Sequence, residues 1–152
     1  METQQERTKK VLFITGTRAD YGKIKSIMRL LRDDEAFSLS IFITGMHMHT
    51  DYGSTYKEIL KDGFTNTYRY MNQQPGAPMD LVLANTISGL SYYVKEERPD
   101  LLVVHGDRLE ALAGALVGAM NNIHVAHIEG GEVSGTIDES FRHAITKMAH
   151  SH

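Results

Sequence analysis

Four carboxylates, Glu129, Glu132, Asp138 and Glu139, crowd into eleven residues of glycine-rich chain. Gly130 and Gly131 let the backbone turn freely and approach a ligand closely. Thr136 and Glu139 have the spacing of a capping box that starts a helix near Ile137. Asp138 then falls in the first helical turn, where the macrodipole favours a carboxylate, and stands four residues before Arg142 as a stabilising pair. Asp138 and Glu139 therefore have structural reasons to exist. Glu129 has none, because it ends an apolar strand and faces a crevice. Such a carboxyl is desolvated and held near like charges, the setting that general acid or base work requires. Several carboxylates around one crevice, one protonated and another ionised, suit proton transfer to or from a sugar.

Two further turns carry charge. In His105-Gly-Asp-Arg108, Asp107 sits where an apolar strand opens into the crevice; the structural alternative is a helix cap made by Asp107 with Glu110, leaving Arg108 exposed. Gly16-Thr-Arg-Ala-Asp-Tyr-Gly22 has neither a dinucleotide fingerprint nor a Walker loop. It still offers backbone N–H groups and a helix start to an anion, with Arg18 and Lys23 beside them. The plainer alternative is a solvated loop whose Asp20 caps the helix. Pairs of histidines, His47 with His49, His124 with His127 and His150 with His152, lack the H-E-x-x-H spacing and read as loop or core residues, so no metal is expected.

The elements that must position these turns alternate. After a polar leader, residues 1–10, an apolar strand spans Val11 to Thr15 and stops at Gly16. An amphipathic helix from Tyr21 places Ile24, Ile27, Met28 and Leu31 on one face. A strand over Leu39 to Thr44 closes at Gly45. A short helix near Ser54 to Lys61, a weak strand near Phe64 to Tyr70 and a polar loop precede a long helix, Met79 to Glu97, with Leu83, Ile87, Leu90 and Val94 in its apolar stripe and Pro99 ending it. The strand Leu101 to His105, a helix Arg108 to Met120 with small residues for close packing, and a strand Ile123 to Ile128 follow. Strands alternating with helices predict a parallel sheet covered on both faces, a Rossmann-like three-layer α/β sandwich. Ligands of such sheets bind beyond the carboxyl ends of the strands, where strand order reverses, and all four charged turns belong to that edge.

Composition narrows the class. At 152 residues the chain is the size of one domain, and 41% hydrophobic with 23% charged residues is ordinary for a globular protein. A net charge of −3 with no basic run gives nucleic acid no footprint. Cysteine is absent, which removes disulfides and thiolate metal sites. The longest apolar runs are far too short for a membrane span or signal core, and cytoplasm is the expected location.

Several stretches resemble the hydrolysing UDP-N-acetylglucosamine 2-epimerases: Thr17-Arg-Ala-Asp-Tyr-Gly-Lys23, Gly53-Ser-Thr-Tyr56, Val104-His-Gly-Asp-Arg108, and the long string from His127 through Gly130-Gly-Glu-Val-Ser-Gly-Thr-Ile-Asp138 to Lys147. The likeness runs from about Val11 to His152. It implies the amino-terminal half, residues 11–152, of a two-domain glycosyltransferase B-type enzyme whose cleft lies between the halves, with the second domain absent from this chain. It implies elimination of UDP from UDP-N-acetylglucosamine to give 2-acetamidoglucal, then hydration to N-acetylmannosamine, the first step of sialic acid biosynthesis, with no cofactor. Asp107, Glu129 and Asp138 fall on the family's catalytic carboxylates. Glu129 is expected to protonate the leaving oxygen, Asp138 to handle the C2 proton and Asp107 to support the oxocarbenium-like state. Arg18, Gly22 and Arg108 fall on its UDP contacts; relatives can carry serine at the position of Gly22, so contact there must come from backbone. A homodimer or homotetramer is implied, with the helix bearing Tyr92 and Tyr93 as a candidate surface. Alternatives are a hydrolysing epimerase of UDP-2,4-diacetamido-2,4,6-trideoxyglucose from legionaminic acid pathways, a non-catalytic nucleotide-sugar-binding module, and an unrelated flavodoxin-type domain.

Overall fold

A computed structural model describes residues 7–50, 53–74, 76–128, 144, 145, 147 and 149. Five strands, β1 (Lys9–Thr15), β2 (Phe37–Ile43), β3 (Thr67–Arg69), β4 (Leu101–His105) and β5 (His124–Ile128), alternate with four helices, α1 (Arg18–Arg32), α2 (Tyr56–Lys61), α3 (Met79–Glu97) and α4 (Leu109–Met120). The strands form one parallel sheet in the order β3-β2-β1-β4-β5. This is the Rossmann-like α/β arrangement expected. The chain builds outward from β1 in one direction and then restarts at β4 on its other side, so the topological switch point lies between β1 and β4.

Successive residues of a strand point to opposite faces, and β1 uses both. Val11 and Phe13 join Tyr21, Ile24 and Met28 of α1 and Ile59 of α2 in one core. Leu12 and Ile14 join Leu90 and Val94 of α3 and Ala111 and Ala115 of α4 in the other. Burial on both sides explains why β1 and β4 read as unbroken apolar runs. The small residues of α4 are needed for contact: a Cβ on Gly114 would lie 2.6 Å from Ile14 Cδ1 and from Val104 Cγ1, and one on Gly118 would lie 2.4 Å from Val125 Cγ2.

Some boundaries differ from expectation. β1 opens at Lys9, because Lys9 and Lys10 pair with Phe37 and Ser38 although their side chains are polar. α1 starts at Arg18, three residues before its apolar series. The fully packed residues of α3 are Val82, Thr86, Leu90 and Val94, while Leu83 and Ile87 pack partly against the same core. Tyr93 stacks on Tyr68, and Tyr92 is 75% exposed. Of the final helix, Ala144, Ile145 and Lys147 are helical and Ile145 is fully buried. Among the described residues no helix is long and apolar enough to cross a membrane.

Candidate active site

The carboxyl ends of β1, β2 and β4 meet in a rim of polar groups. At the end of β1, Thr17 caps α1 by accepting from the Asp20 N–H at 3.1 Å. The Asp20 carboxylate in turn accepts from the backbone N–H groups of Gly16 at 3.0 Å and Thr17 at 3.1 Å, completing a capping box. It also accepts from the Thr15 hydroxyl. Asp20 therefore occupies amides that the sequence offered to an external anion. It caps α1 from within the first turn, not from the cap position. Burial pushes its pKa up, against the pull of these hydrogen bonds and of nearby His105.

Thr15 links the rim to a buried histidine. His47 is wholly inaccessible, with Nε2 2.9 Å from Thr15 Oγ1 and Nδ1 2.8 Å from Thr55 Oγ1. A hydroxyl has one proton, and that of Thr15 goes to Asp20; His47 Nε2–H therefore donates to Thr15, and Nδ1 accepts from Thr55. Burial lowers the His47 pKa to about 4, so the ring is neutral at physiological pH. This is a structural role for one of the histidines considered for metal binding. Among the described residues no cluster of three or more potential ligands could hold a metal ion. The Gly53-Ser-Thr-Tyr56 stretch serves the same tie: Gly53 and Ser54 take φ of 79° and 49°, turning the chain so that Thr55 reaches His47.

On the other side of the switch point, β4 delivers His105, Gly106, Asp107 and Arg108. Gly106 has φ of 79°, its N–H donates to the Ile128 carbonyl at 3.0 Å, and its own carbonyl accepts from His127 Nε2 at 2.7 Å. The cap pair considered for Asp107 and Glu110 does not form. Helix α4 begins at Leu109, and Arg108 takes the cap position without a side-chain cap hydrogen bond. Instead the Glu110 side chain folds inward and is only 3% exposed. An added Cβ on Gly16 would lie 2.8 Å from Glu110 Cδ, and one on Gly45 would lie 2.6 Å from Glu110 Oε1. Arg108 Nε stands 3.5 Å from Glu110 Oε2, an ion pair outside hydrogen-bond geometry, and Oε2 has no hydrogen-bond partner among the described residues. Burial pushes the Glu110 carboxyl up, Arg108 pulls it down, and Asp20 adds a like charge.

The residues singled out in the sequence are thus distributed as follows. Arg18 opens α1, is 73% exposed, and pairs with Glu58 at 3.3 Å. Gly22 lies in the second turn of α1 with nothing within 4 Å of an added Cβ, and its N–H falls within the helical ladder. Asp107 and Arg108 follow β4 at the switch point beside the β1 turn that carries Arg18. Glu129 and Asp138 lie outside the described residues, as do Glu132 and Glu139. Glu110 was legible only as a capping partner; its burial beside Gly16 and Gly45 emerges only once β1 and β2 lie side by side.

An open parallel sheet with acidic and basic side chains at its switch point is the Rossmann-like arrangement whose ligands bind at that edge. A sequence model of the family described as UDP-N-acetylglucosamine 2-epimerase matches residues 29–152. The chain is 50% identical over 144 residues, 95% of its length and 38% of the relative's, to a UDP-N-acetylglucosamine 2-epimerase of Neisseria meningitidis. It is 39% identical over 148 residues, 95% of its length and 39% of the relative's, to a UDP-N,N'-diacetylbacillosamine 2-epimerase (hydrolyzing) of Legionella pneumophila. A crystal structure of the Methanocaldococcus jannaschii UDP-GlcNAc 2-epimerase in complex with UDP-GlcNAc and UDP superimposes with a TM-score of 0.81 at 26% identity, over 92% of this chain and 38% of that one. The chain belongs to the UDP-N-acetylglucosamine 2-epimerase family, and it spans about two fifths of the length of the relatives it matches.

Proposed function

We propose that this chain supplies the acidic side of the active site in a hydrolysing UDP-N-acetylglucosamine 2-epimerase, which converts UDP-N-acetylglucosamine and water to N-acetylmannosamine and UDP. The observation that carries this reading is the shared location of Arg18, Asp107 and Arg108 at the switch point between β1 and β4. In the first step the C2 proton is removed and the C1–O bond breaks, leaving 2-acetamidoglucal and UDP. In the second, water oxygen bonds to C1 while C2 takes a proton on the opposite face. Glu129 protonates the departing oxygen, Asp138 handles the C2 proton, and Asp107 supports the oxocarbenium-like state. Arg18, Arg108 and the start of α4 meet the charge of the diphosphate, and the bare surface at Gly22 lets it approach; electrostatic stabilisation of this kind requires no metal.

The substrate is supported by the name of the Neisseria relative and the hydrolytic outcome by that of the Legionella relative. Because the chain spans 38% of the Neisseria protein, the full reaction is assigned to a protein in which residues 11–152 form the amino-terminal domain and a second Rossmann-like domain closes the cleft. Sialic acid biosynthesis, a cytoplasmic location and a homodimer or homotetramer complete the proposal.

Incubation of the protein carrying this chain with UDP-N-acetylglucosamine in H2(18)O tests it. Free N-acetylmannosamine bearing one heavy oxygen, with unlabelled UDP, is expected; UDP-N-acetylmannosamine as the sole product would exclude hydrolysis. Near wild-type turnover by Glu129→Gln would remove the acid assignment. The 39% identity to the Legionella enzyme favours a second reading, in which a 2,4-diacetamido-2,4,6-trideoxy sugar is preferred. A comparison of kcat/KM for the two nucleotide sugars decides between them.

A further inference from the structure

We infer that Glu110 is a positioning residue, whose buried carboxyl sets the place of the Arg108 guanidinium against the turns after β1 and β2. Three independent observations converge on it. The side chain is 3% exposed although it stands in the first turn of a helix, where solvent is the ordinary destination of a glutamate. It fills the space beside two glycines from different strands: Cβ atoms at Gly16 and Gly45 would come within 2.8 and 2.6 Å of its carboxyl group. Its Oε2 lacks a hydrogen-bond partner among the described residues, and the cation beside it is Arg108 at 3.5 Å.

A buried carboxylate with an unfilled lone pair is unfavourable for stability alone, since leaving such a group unsatisfied costs more than a hydrogen bond returns. A role outside stability explains its retention. Arg108 follows Gly106, a backbone hinge with φ of 79°, and its side chain is 43% exposed, so it has freedom to swing into solvent. Glu110, anchored on α4 two residues later, holds the guanidinium by its Nε edge. The same carboxyl lies against both Gly16 and Gly45, whose turns are tied to each other by the Met46 N–H donating to the Gly16 carbonyl at 2.8 Å, so Arg108 is referred to the turns after β1 and β2 through Glu110. The role rests on the epimerase reading only in the choice of UDP as probe.

The protein carrying this chain would be compared with its Glu110→Gln, Arg108→Ala and double variants, with folding checked by thermal unfolding. Calorimetric titration with UDP is expected to show roughly ten-fold weaker binding for Glu110→Gln and for Arg108→Ala, the scale of one charge-assisted contact. The double variant should be no weaker than Arg108→Ala. Losses that multiply, or unchanged affinity in Glu110→Gln, would overturn the inference. A ligand-free measurement separates its failure from that of the epimerase reading: phenylglyoxal modification followed by peptide mass spectrometry. Arg108 should react several-fold faster in Glu110→Gln while Arg18 keeps its rate. Equal rates at Arg108 in both proteins would overturn the role even if UDP binds, and a faster rate sustains it even if UDP does not. If Glu110→Gln fails to fold, Glu110→Asp, which keeps the charge but shortens the reach, should show the same acceleration to a smaller degree, and an unchanged rate there counts against the role.

Discussion

Helices α1 and α4 begin on either side of the same switch point, and they treat their free amides in opposite ways. At α1 the chain supplies its own anion: Asp20 accepts from Gly16, Thr17 and Thr15, and Thr17 returns the favour to the Asp20 N–H. At α4 Arg108 stands at the cap position and makes no side-chain cap hydrogen bond, and the glutamate of the first turn is drawn inward beneath two glycines. The pair shows that a glycine-bounded turn ahead of a helix does not by itself define an anion site. What decides is whether a local carboxylate has already taken the amides. By that criterion the amides at the start of α1 are already taken.

The contrast can be broken at several places. The largest effect is expected at Gly45, which has φ of 64° and would bring a Cβ within 2.6 Å of both Glu110 Oε1 and the Gly16 carbonyl oxygen. Gly45→Ala should lose about 3–5 kcal/mol in urea unfolding, from left-handed backbone strain plus overpacking. The three atoms nearest a Cβ on Gly16 all belong to the Glu110 side chain, so adding Glu110→Ala should rescue Gly16→Ala, whereas the same addition should leave most of the Gly45→Ala loss in place.

Acid comes next. The folded-state pKa of His47 is lowered to about 4 from 6.5, so between those values the unfolded chain binds the extra proton. Stability contributed by the neutral ring is present above about pH 6.5 and lost as pH falls toward 4, a change of order 3 kcal/mol for a fully inaccessible group. Asp20 and Glu110, both raised by burial, act in the opposite sense, since their folded forms hold protons that the unfolded chain has released. Unfolding free energies of wild type and His47→Gln at pH 4.5 and 7 should therefore differ in slope, the variant losing less on acidification.

Asp20→Ala should cost about 2 kcal/mol, because Gly16 N–H and Thr17 N–H lose their acceptor at a partly buried site. It should also free the Gly16 and Thr17 amides for an external anion, so sulfate should raise the melting temperature of the variant more than that of wild type. The smallest effect is a gain. Gly22→Ala adds a methyl into open space within a helix and should stabilise by about 0.5–1 kcal/mol. If that variant also weakens UDP, the bare surface at Gly22 is part of the site.

Much of this architecture was legible in the residues. Two elements, Met79 to Glu97 and Leu101 to His105, have the bounds that their apolar patterns and Pro99 imply. The early start of α1 was signalled by Thr17 and Asp20, a capping box in which aspartate replaces the more familiar glutamate and so escapes the usual template. Strand β1 begins at Lys9 because backbone pairing with Phe37 is indifferent to the polarity of the side chain. The burial of Glu110 was not legible, since it depends on the lateral neighbourhood of β1 and β2 that brings Gly16 and Gly45 together, and one-dimensional periodicity carries no information on that neighbourhood. The same holds for His47, whose partners Thr15 and Thr55 come from opposite ends of the β1 to α2 segment. Asp107, Arg18 and Arg108 could be placed at the rim because strand ends are marked by glycine, and glycine after an apolar run is the plainest punctuation in the chain.

The glycines of α4 carry one more implication. With Gly114 and Gly118 seated directly on Ile14, Val104 and Val125, the helix backbone rests on the sheet without side chains to cushion it. A methyl at either position would act as a shim under a rigid bar whose amino end carries Arg108. Alterations two or three turns from the crevice can then displace Arg108 without touching it, and under the proposed function such lesions would register as weakened affinity in a protein that still melts cooperatively.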